Sequence, residues 1–434
     1  MQPFGAVEKI KETYQNFVET SFPLADPDLR KEFQRLVEEE HLLWQDPFVS
    51  LSRPFYAGGT LEELVHEKKL ERDIVAGASP RSPHWKFAQL HAHQRDAIRR
   101  LSAYNQQPRN TLIATGTGSG KTEAFLIPII DHCLRNPGKG VQAVIVYPMN
   151  ALVNDQLRRM RELLRGTGVT FARYTGNTGY SKPSSDDGGE PIQEERRTRL
   201  EIRDNPPQIL LTNYMMLELL LVRKKDREMF LATKPHYLVL DEIHTYIGVL
   251  GSEVACLIQR FKEHAGLKAG ELCCVGTSAT VMPSSRNGAS PADPQQELLH
   301  FASLLFGEAF ETTGIIVESY KPAQWPAEAK RLDASPQLSE DMLKDIDIRN
   351  DEHIRVLASY FNIEIPQELH EHDFFGKLYD ELDKRLIFSL FQEWLRQPLS
   401  LDDLADKLGE REERRSISHD SLKLEVTAHG SVKW

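Results

Sequence analysis

Apolar runs of four to six residues recur between positions 111 and 278, and each is followed by a stretch with helical spacing. The run "AVIVY" at 143–147, for example, is wholly apolar and rich in β-branched side chains, as in a strand buried on both faces of a parallel sheet. Strands that alternate with helices predict an α/β fold with a mostly parallel sheet and helices on both of its faces. The predicted strands are 111–114, 143–147, 170–174, 209–212, 237–241 and 273–278.

The regions that flank this pattern lack the alternation. The stretch "LRKEFQRLVEEEHLLW" has helical periodicity and precedes a connector rich in proline, glycine and aromatic residues. Within the alternating region, positions 179–207 start polar and Gly/Ser-rich and then become charged, which predicts a mobile surface insertion with a short helix. The predicted organisation is a helical accessory region at 1–85, the α/β domain at 86–320, a Pro-rich linker at 321–337 and amphipathic helices at 338–434.

The composition is that of an ordinary globular protein, with 40% hydrophobic and 27% charged residues among 434. No apolar run approaches ~18 residues and the N-terminus has no signal-peptide core, so we expect a cytoplasmic protein with no membrane partner. The formal net charge of −11 argues against wrapping of nucleic acid by bulk attraction, although a local groove can still be basic.

The cysteines predict no metal or disulfide framework. They form no C-x-x-C pair and lie in apolar surroundings, which favours buried free thiols. They are Cys133, Cys256, Cys273 and Cys274.

A glycine-rich turn, "TGTGSGKT" at 115–122, follows the first predicted strand and precedes a helical pattern. Glycines let backbone N–H groups approach a ligand closely, and the positive end of the following helix suits phosphate. In a Walker A loop Lys121 would reach the β- and γ-phosphates and the Thr122 hydroxyl would ligate Mg²⁺. Thr115 replaces the first glycine of that pattern. The candidate nucleotide-binding residues are Thr117, Gly118, Ser119, Gly120, Lys121 and Thr122.

Gln94 lies 27 residues before Lys121, in "LHAHQRDAI". A carboxamide can read the donor and acceptor edge of adenine with two hydrogen bonds, so Gln94 is a candidate adenine contact. A solvated helix residue is the alternative.

Acidic and hydroxyl residues follow two other predicted strands, where ligands bind in sheets of this type. In "DEIH" at 241–244, Asp241 is placed to hold Mg²⁺ through water and Glu242 to orient and deprotonate the attacking water, with His244 as a further catalytic candidate. The alternative is a surface acidic pair that caps a helix. Ser278 and Thr280, in "SAT", are suited to sensing the acidic pair and relaying the nucleotide state.

Three more strands are followed by hydroxyls, amides, glycines and helix starts, in "YPMNALVNDQ", "YTGNT" and "TNYMML". Donors of this kind contact backbone phosphates without reading sequence. Arginines of the helix "DQLRRMRELLR" lie nearby, although a solvated helix face is the alternative for them. The candidate nucleic-acid contacts are Pro148, Asn150, Thr175, Gly176, Thr212 and Asn213.

These motifs, in this order and spacing, resemble the first RecA-like motor domain of superfamily 2 DExH/DEAD-box helicases over about 86–320. The resemblance implies a P-loop fold, ATP and Mg²⁺ as ligands, ATP hydrolysis and a nucleic-acid partner, and it makes Thr115 an ordinary residue for its position. The wording of "YPMNALVNDQ", "LLTNYMMLE" and "DEIHTYIGVLGSEVACLIQR" is most similar to large bacterial MrfA-like helicases and those of phage-defence systems such as Druantia and DISARM. That similarity implies DNA as the substrate.

One part of the helicase pattern is not found. Nothing at 321–434 resembles the motif by which a second RecA-like domain supplies arginine fingers. We therefore expect the N-terminal motor portion of a longer helicase, or one half of a split one, completed by a second RecA-like domain in the same or a partner chain. "PLSLDDLADKLG" resembles a winged-helix segment, and a plain packing helix is an equal alternative.

Three functional hypotheses follow. The first is an ATP-dependent nucleic-acid helicase or translocase, in bacterial antiviral defence or DNA repair. The second is a nucleotide-gated nucleic-acid-binding or scaffold module that does not translocate. The third is a P-loop ATPase with another client, which would not need "YPMNALVNDQ" and "TNYMML" in this order.

We predict that Lys121→Ala abolishes ATP binding, because Lys121 supplies the cation for the phosphates. Titration calorimetry with Mg-ATP measures the effect. Unchanged affinity in this variant would refute the assignment of a phosphate loop.

Overall fold

The structure, a computed structural model, describes most of the chain between residues 3 and 321 and short pieces beyond. The described residues are 3–39, 43, 48–49, 54–87, 89–116, 118–138, 140–183, 190–230, 234–279, 294–321, 355, 394–395, 399–400, 403, 407, 425–426 and 432–433. Thr117 and Thr280 lie outside them, as do the linker from 322 onwards and nearly all of the region predicted as helical at 338–434.

The chain divides into two compact units. One comprises Met1–Pro54 and Lys321–Trp434, and the other is Phe55–Tyr320. The α-helices are α1 (Pro3–Ser21), α2 (Pro27–Glu39), α3 (Leu61–His66), α4 (Ala92–Leu101), α5 (Lys121–Arg135), α6 (Asn150–Leu164), α7 (Arg199–Asp204), α8 (Tyr214–Val222), α9 (Lys224–Arg227), α10 (Gly248–His264) and α11 (Pro294–Phe306). The strands are β1 (Phe48–Val49), β2 (Ala57–Gly59), β3 (Leu90–His91), β4 (Thr111–Ala114), β5 (Ala143–Tyr147), β6 (Phe171–Tyr174), β7 (Glu195–Arg196), β8 (Ile209–Asn213), β9 (Tyr237–Leu240), β10 (Cys273–Ser278), β11 (Ile315–Val317), β12 (Leu399–Ser400), β13 (Glu425–Val426) and β14 (Val432–Lys433).

Eight strands form one sheet in the order β11-β4-β10-β9-β5-β8-β6-β7. Every neighbouring pair in it is parallel. The predicted α/β fold with a mostly parallel sheet is thus confirmed, and the six predicted strands are the six central ones. Because parallel strands share one direction, their carboxyl ends meet at one edge of the sheet.

The side chains of the strands alternate between two hydrophobic cores. Ile113 and Ile145 belong to the core under α4, α5 and α6, whereas Leu112 and Val144 belong to the core under α8, α10 and α11. Successive side chains of a strand point to opposite faces, so one apolar run fills both cores. This double burial explains why the central strands contain so few polar residues.

Residues 55–85, predicted as part of the accessory region, pack with the sheet unit. Leu64, Leu70 and Ile74 are almost fully buried in the core that also holds α5. The Trp85 indole N–H donates to the Ile74 carbonyl at 2.9 Å, and this hydrogen bond connects the two ends of the stretch 74–85. The compact unit therefore begins at Phe55 and ends at Tyr320.

The two edge strands were not predicted. Strand β7 is only two residues long and lies in the polar insertion at 179–207, where α7 is the short helix. The Glu195 carboxylate of β7 accepts two hydrogen bonds from the buried Arg161 guanidinium of α6, at 2.7 and 2.8 Å. A bidentate pair of this kind compensates the burial of both charges and fixes the edge of the sheet to α6.

Three of the four thiols are buried as predicted. Burial raises the pKa of Cys133 and Cys273, and it raises the pKa of Cys274 to about 12. The prediction is wrong for Cys256, which is exposed on α10 because it lies on the side of that helix turned away from the sheet core.

The structure contains no helix in its described ranges that is both long and apolar enough to cross a membrane.

Two histidines stack near the amino end of the sheet. The rings of His132 in α5 and His236, which precedes β9, have centroids 4.4 Å apart and planes at 5°. Burial, with smaller effects of His236 and Arg135, lowers the pKa of His132 to about 3. Burial also lowers the pKa of His236. Both rings are therefore neutral in the folded protein near neutral pH.

This stack predicts a loss of stability in mild acid. The folded pKa of His132 lies below its unfolded value of about 6.5, so protons bind the unfolded chain preferentially and stability falls as the pH drops below about 6.5. Between pH 7 and pH 5 the loss from His132 alone is about 2 kcal/mol. Denaturant unfolding of the protein and of His132→Asn at both pH values measures it, with the exposed His66→Asn as control. The same pH dependence in His132→Asn as in the unaltered protein would contradict this account.

Candidate active site

The glycine-rich turn connects β4 to α5 at the carboxyl edge of the sheet. Gly118 and Gly120 have φ values of 80° and 79°, in the left-handed region that favours glycine. The Thr115 and Ser119 hydroxyls lie 2.7 Å apart, and the Thr115 N–H donates to the Ser278 carbonyl of β10 at 3.1 Å. The replacement of glycine by Thr115 thus contributes a hydroxyl contact that closes the loop.

Side chains at the start of α4 hold the second half of this loop. Gln94 Nε2 donates to the Gly120 carbonyl at 3.1 Å, and Gln94 Oε1 accepts from the His91 N–H at 2.8 Å. His93 Nε2 lies 2.7 Å from the Ser119 carbonyl, and burial lowers the pKa of His93, which favours a neutral ring that donates from Nε2. The carbonyls of Ser119 and Gly120 are thereby turned toward α4.

The Gln94 side chain already makes hydrogen bonds within the protein. Each end of its amide makes one contact within the protein, which leaves one hydrogen on Nε2 and one lone pair on Oε1. The role of Gln94 as an adenine contact stays a prediction. Its hydrogen bond to the Gly120 carbonyl supports a second role, which is to stabilise the glycine-rich turn.

Asp241 and Glu242 follow β9 directly. Glu242 has φ 50° and ψ 55°, a left-handed conformation that is uncommon for residues with a side chain and that clusters at functional sites. The Thr277 hydroxyl accepts from the Glu242 N–H at 3.1 Å and donates to the Asp241 carboxylate. Burial raises the pKa of Asp241, and the Thr277 hydrogen bond opposes that shift.

Two predicted catalytic side chains, Lys121 and His244, contact the carboxylate of a third, Glu242. Lys121 Nζ lies 3.0 Å from Glu242 Oε1, and the other oxygen, Oε2, accepts from the Ala279 N–H at 3.2 Å. His244 Nδ1 lies 3.2 Å from Glu242 Oε2 and 3.2 Å from the Ser278 hydroxyl. Ser278 is therefore connected to the acidic pair through His244, whereas Thr280 lies outside the described residues.

The residues present fit a nucleotide and Mg²⁺. The donors that suit Mg²⁺ are the Thr122 hydroxyl, after β4, and the Asp241 carboxylate, after β9; these two strands flank β10 in the sheet. Mg²⁺ usually takes one or two carboxylates together with substrate phosphates and water, so a protein cage is not needed. In the described part of the chain no group of three or more His, Cys, Asp or Glu residues could hold a metal ion by itself.

The predicted nucleic-acid contacts divide into exposed and buried groups. Asn150 is exposed, and its Oδ1 accepts from Asn213 Nδ2 at 2.6 Å, so the starts of α6 and α8 touch. Gly176 is also exposed, and Pro148 is partly exposed. Thr175 and Thr212 are buried, and the Thr212 hydroxyl donates to the Tyr174 carbonyl at 2.7 Å.

Apolar side chains surround these donors. Met149 is the N-cap residue of α6 and Ile247 that of α10, and neither side chain can cap its helix. Met149, Met215, Ile247 and Val249 are 62%, 60%, 58% and 78% exposed. Met149 and Ile247 occupy positions where hydrogen-bonding caps are preferred, and clustered exposed apolar residues of this kind mark surfaces that make contacts.

The arginines of α6 are mostly paired within the protein. Arg158 pairs with Asp155 at 2.9 Å, Arg159 pairs with Glu123 of α5, and Arg161 is the buried partner of β7. A solvated helix face therefore describes Arg158, whereas Arg161 faces the protein interior.

Two residues of the site lack a sequence signal of their own. Thr277 precedes a motif residue by one position, and Glu318 follows β11, where its Oε2 accepts from the Gly116 N–H at 3.0 Å. Their contacts join segments that are far apart in the chain. A hydroxyl at the end of a buried strand, as at Thr277, was the one feature that could have drawn attention.

Comparison with known proteins gives a consistent picture. Residues 91–287 match the sequence profile of the DEAD/DEAH box helicases. The chain is 27% identical to the Druantia protein DruE of Escherichia coli (strain UMEA 4076-1) over 375 residues, which cover 63% of this chain and 20% of DruE. It is also 27% identical over 240 residues to an uncharacterized ATP-dependent helicase of Methanocaldococcus jannaschii, covering 54% of this chain and 29% of that protein.

Among solved structures, the DUF1998 helicase MrfA bound to DNA is 20% identical, with a TM-score of 0.44 over 80% of this chain and 44% of that one. The chain spans less than a third of the length of the two curated relatives, 20% and 29%.

The contact between Gln94 and the loop predicts unequal effects of two similar substitutions. Gly118→Ala and Gly120→Ala both place a side chain at positive φ, which costs roughly 1–2 kcal/mol. An added Cβ at Gly118 meets nothing within 4 Å, whereas at Gly120 it would lie 2.1 Å from Gln94 Nε2. We expect Gly120→Ala to lower both the free energy of unfolding and the ATP affinity more than Gly118→Ala does.

The double variant Gln94→Ala, Gly120→Ala should recover most of that difference, since the obstructing amide is gone. Denaturant unfolding and ATP titration measure both quantities. If the two glycine variants behaved alike, Gln94 would not brace this loop.

Proposed function

We propose that this chain is the ATP-binding motor portion of an ATP-dependent helicase or translocase that acts on nucleic acid, with DNA as its substrate; the match of residues 91–287 to the DEAD/DEAH box helicase profile supports this proposal. The observation that carries the proposal is the meeting of Lys121 and Glu242, at 3.0 Å, on the edge of the sheet where six motifs converge. The helicase resemblance drawn from the motifs agrees with the profile match.

The nucleotide would bind with its phosphates on the turn between β4 and α5. The turn offers backbone N–H groups and the start of α5, and Lys121 offers a positive charge. Lys121 would then exchange the Glu242 carboxylate for phosphate oxygens. That exchange would free the Glu242 carboxylate to orient the attacking water once ATP is bound.

Thr122 and Asp241 would hold Mg²⁺. When bound, Mg²⁺ neutralises part of the phosphate charge and orients the phosphate chain. The Thr277 hydroxyl holds the Asp241 carboxylate by a hydrogen bond, and burial would make this carboxylate respond strongly to a nearby cation.

Glu242 would orient the attacking water and accept its proton. The Thr277 and Ala279 contacts hold the backbone and the carboxylate of Glu242 in place. His244, in contact with both Glu242 and Ser278, would pass a change at the carboxylate to the end of β10. A conformational change of this kind would couple hydrolysis to movement.

Nucleic acid would cross the carboxyl edge at the starts of α6 and α8. The exposed Asn150 and the N–H groups of α6 that Met149 cannot cap suit backbone phosphates. Thr175 and Thr212 would contribute through backbone groups, since their hydroxyls are buried. The exposed Met149, Met215 and Ile247 suit the apolar faces of unpaired bases or sugars.

A second RecA-like domain would complete the ATP site. In the transition state, charge spreads over the γ-phosphoryl oxygens and usually needs an arginine finger. Among the described residues, Lys121 and His244 lie within ion-pair distance of the Glu242 carboxylate. The second domain would supply an additional arginine. We propose a role in bacterial antiviral defence or DNA repair, which the resemblance to phage-defence helicases and the similarity to the Druantia protein DruE support, and we propose that the protein acts in the cytoplasm.

We predict that this chain alone binds ATP weakly and hydrolyses it slowly, even with DNA or RNA present, because an arginine finger contributes about 10³–10⁵ in rate. An ATPase assay compares the chain with the full-length or reconstituted protein. The residual rate should fall further in Glu242→Gln and stay unchanged in the exposed control Glu253→Gln.

Comparable turnover by the chain and the complete protein would refute the split site. ATP turnover without strand displacement or translocation by the complete protein would favour the nucleotide-gated module instead.

A further inference from the structure

Glu318 connects the last strand of the sheet to the first turn of the phosphate loop. It follows β11, which pairs with β4, the strand that leads into the loop. Glu318 Oε2 accepts from the Gly116 N–H at 3.0 Å, and Glu318 Oε1 accepts from the Tyr320 hydroxyl at 2.9 Å. One carboxylate therefore joins the loop to the point where the chain leaves the sheet unit.

That exit point lies beside the entry point. The rings of Phe55 and Tyr320 stack with centroids 5.1 Å apart, and the Tyr56 N–H donates to the Ser319 carbonyl at 3.0 Å. Phe55 also contacts the ring of His93 at 5.1 Å, and His93 holds the Ser119 carbonyl. The loop is thus braced from two sides by groups that rest on Phe55.

The carboxylates of Glu318 and Glu242 have different surroundings. Glu242 lies against the Lys121 ammonium, whereas the two hydrogen-bond donors that Glu318 has among the described residues are neutral and do not cancel its charge. A partly buried negative charge beside a loop that receives phosphates repels them, and the repulsion grows with the charge of the ligand. The hydrogen bond to Gly116, in contrast, shapes the loop for any ligand.

We propose that Glu318 is a positioning residue with two opposed effects: its hydrogen bond shapes the first turn of the phosphate loop, and its charge weakens nucleotide binding in proportion to the negative charge of the phosphates. The proposal rests on the proposed ATP site. A triphosphate pushes Glu318 away from Gly116 more strongly than a diphosphate does, and the displacement is passed to Tyr320 and Phe55, where both chain connections of the sheet unit meet.

Two substitutions separate the two effects. Glu318→Gln keeps an oxygen for the Gly116 N–H and an amide for the Tyr320 hydroxyl but removes the charge, so we expect ATP to bind roughly 3- to 10-fold tighter. The gain should be smaller for ADP and should shrink at high salt. Glu318→Ala removes the brace as well, so the affinity for both nucleotides should fall.

The binding experiment uses calorimetry with a non-hydrolysable ATP analogue and with ADP, on the whole chain. Glu311→Gln is the matched control, because Glu311 lies near the other end of β11, is exposed and pairs with Arg100; it should leave both affinities unchanged. A further measurement is hydrogen exchange at the Tyr56 amide, which the ATP analogue should accelerate more than ADP does in the unaltered protein.

Affinities that move in the same direction in Glu318→Gln and Glu318→Ala, or a gain equal for ATP and ADP, would overturn the proposal. Equal exchange at Tyr56 with both nucleotides would overturn its conformational part. If the unaltered protein bound neither nucleotide, the proposed ATP site itself would fail, which is a different result from binding that depends on Lys121 but not on Glu318.

Discussion

The burial of a parallel sheet on both faces is the constraint on which the other features depend. With helices packed on each side, the interior positions of β4, β5, β9 and β10 accept apolar side chains almost exclusively, because an unpaired polar group there would lose its hydration. The polar and charged side chains of the site therefore lie at the ends of the strands. Since every strand of the eight-stranded sheet runs in the same direction, residues separated by more than a hundred positions come together at one edge.

At that edge, several polar and charged groups of the protein bind one another. The Lys121 ammonium and the Glu242 carboxylate neutralise each other, the Thr277 hydroxyl serves both acidic residues, and His93 and Gln94 bind carbonyls of the loop. A ligand with phosphates at the proposed site would have to replace some of these contacts. Binding there would then be coupled to a rearrangement, next to the left-handed backbone at Glu242.

The central strands and the motif residues could be predicted because each depends on a local pattern: an apolar run, or a short motif that follows it. Strands β7 and β11 could not, since a short edge strand is defined by its neighbour and not by its own residues. The same holds for Glu318, whose partner Gly116 is 202 positions away. The exposure of Cys256 depends on which side of α10 meets the core, and the packing of residues 55–85 depends on a core that the sheet creates.

The contact between Phe55 and Tyr320 has an evolutionary consequence. A unit whose two ends lie side by side can be inserted into a surface loop of another protein without stretching either, as circular permutation and domain insertion require. Recombination could therefore move residues 55–320 between host proteins as a cassette while the flanking regions diversified. Joining the two ends with a short linker, and opening the chain at an exposed loop, would be the corresponding protein-engineering route to an isolated ATP-binding module.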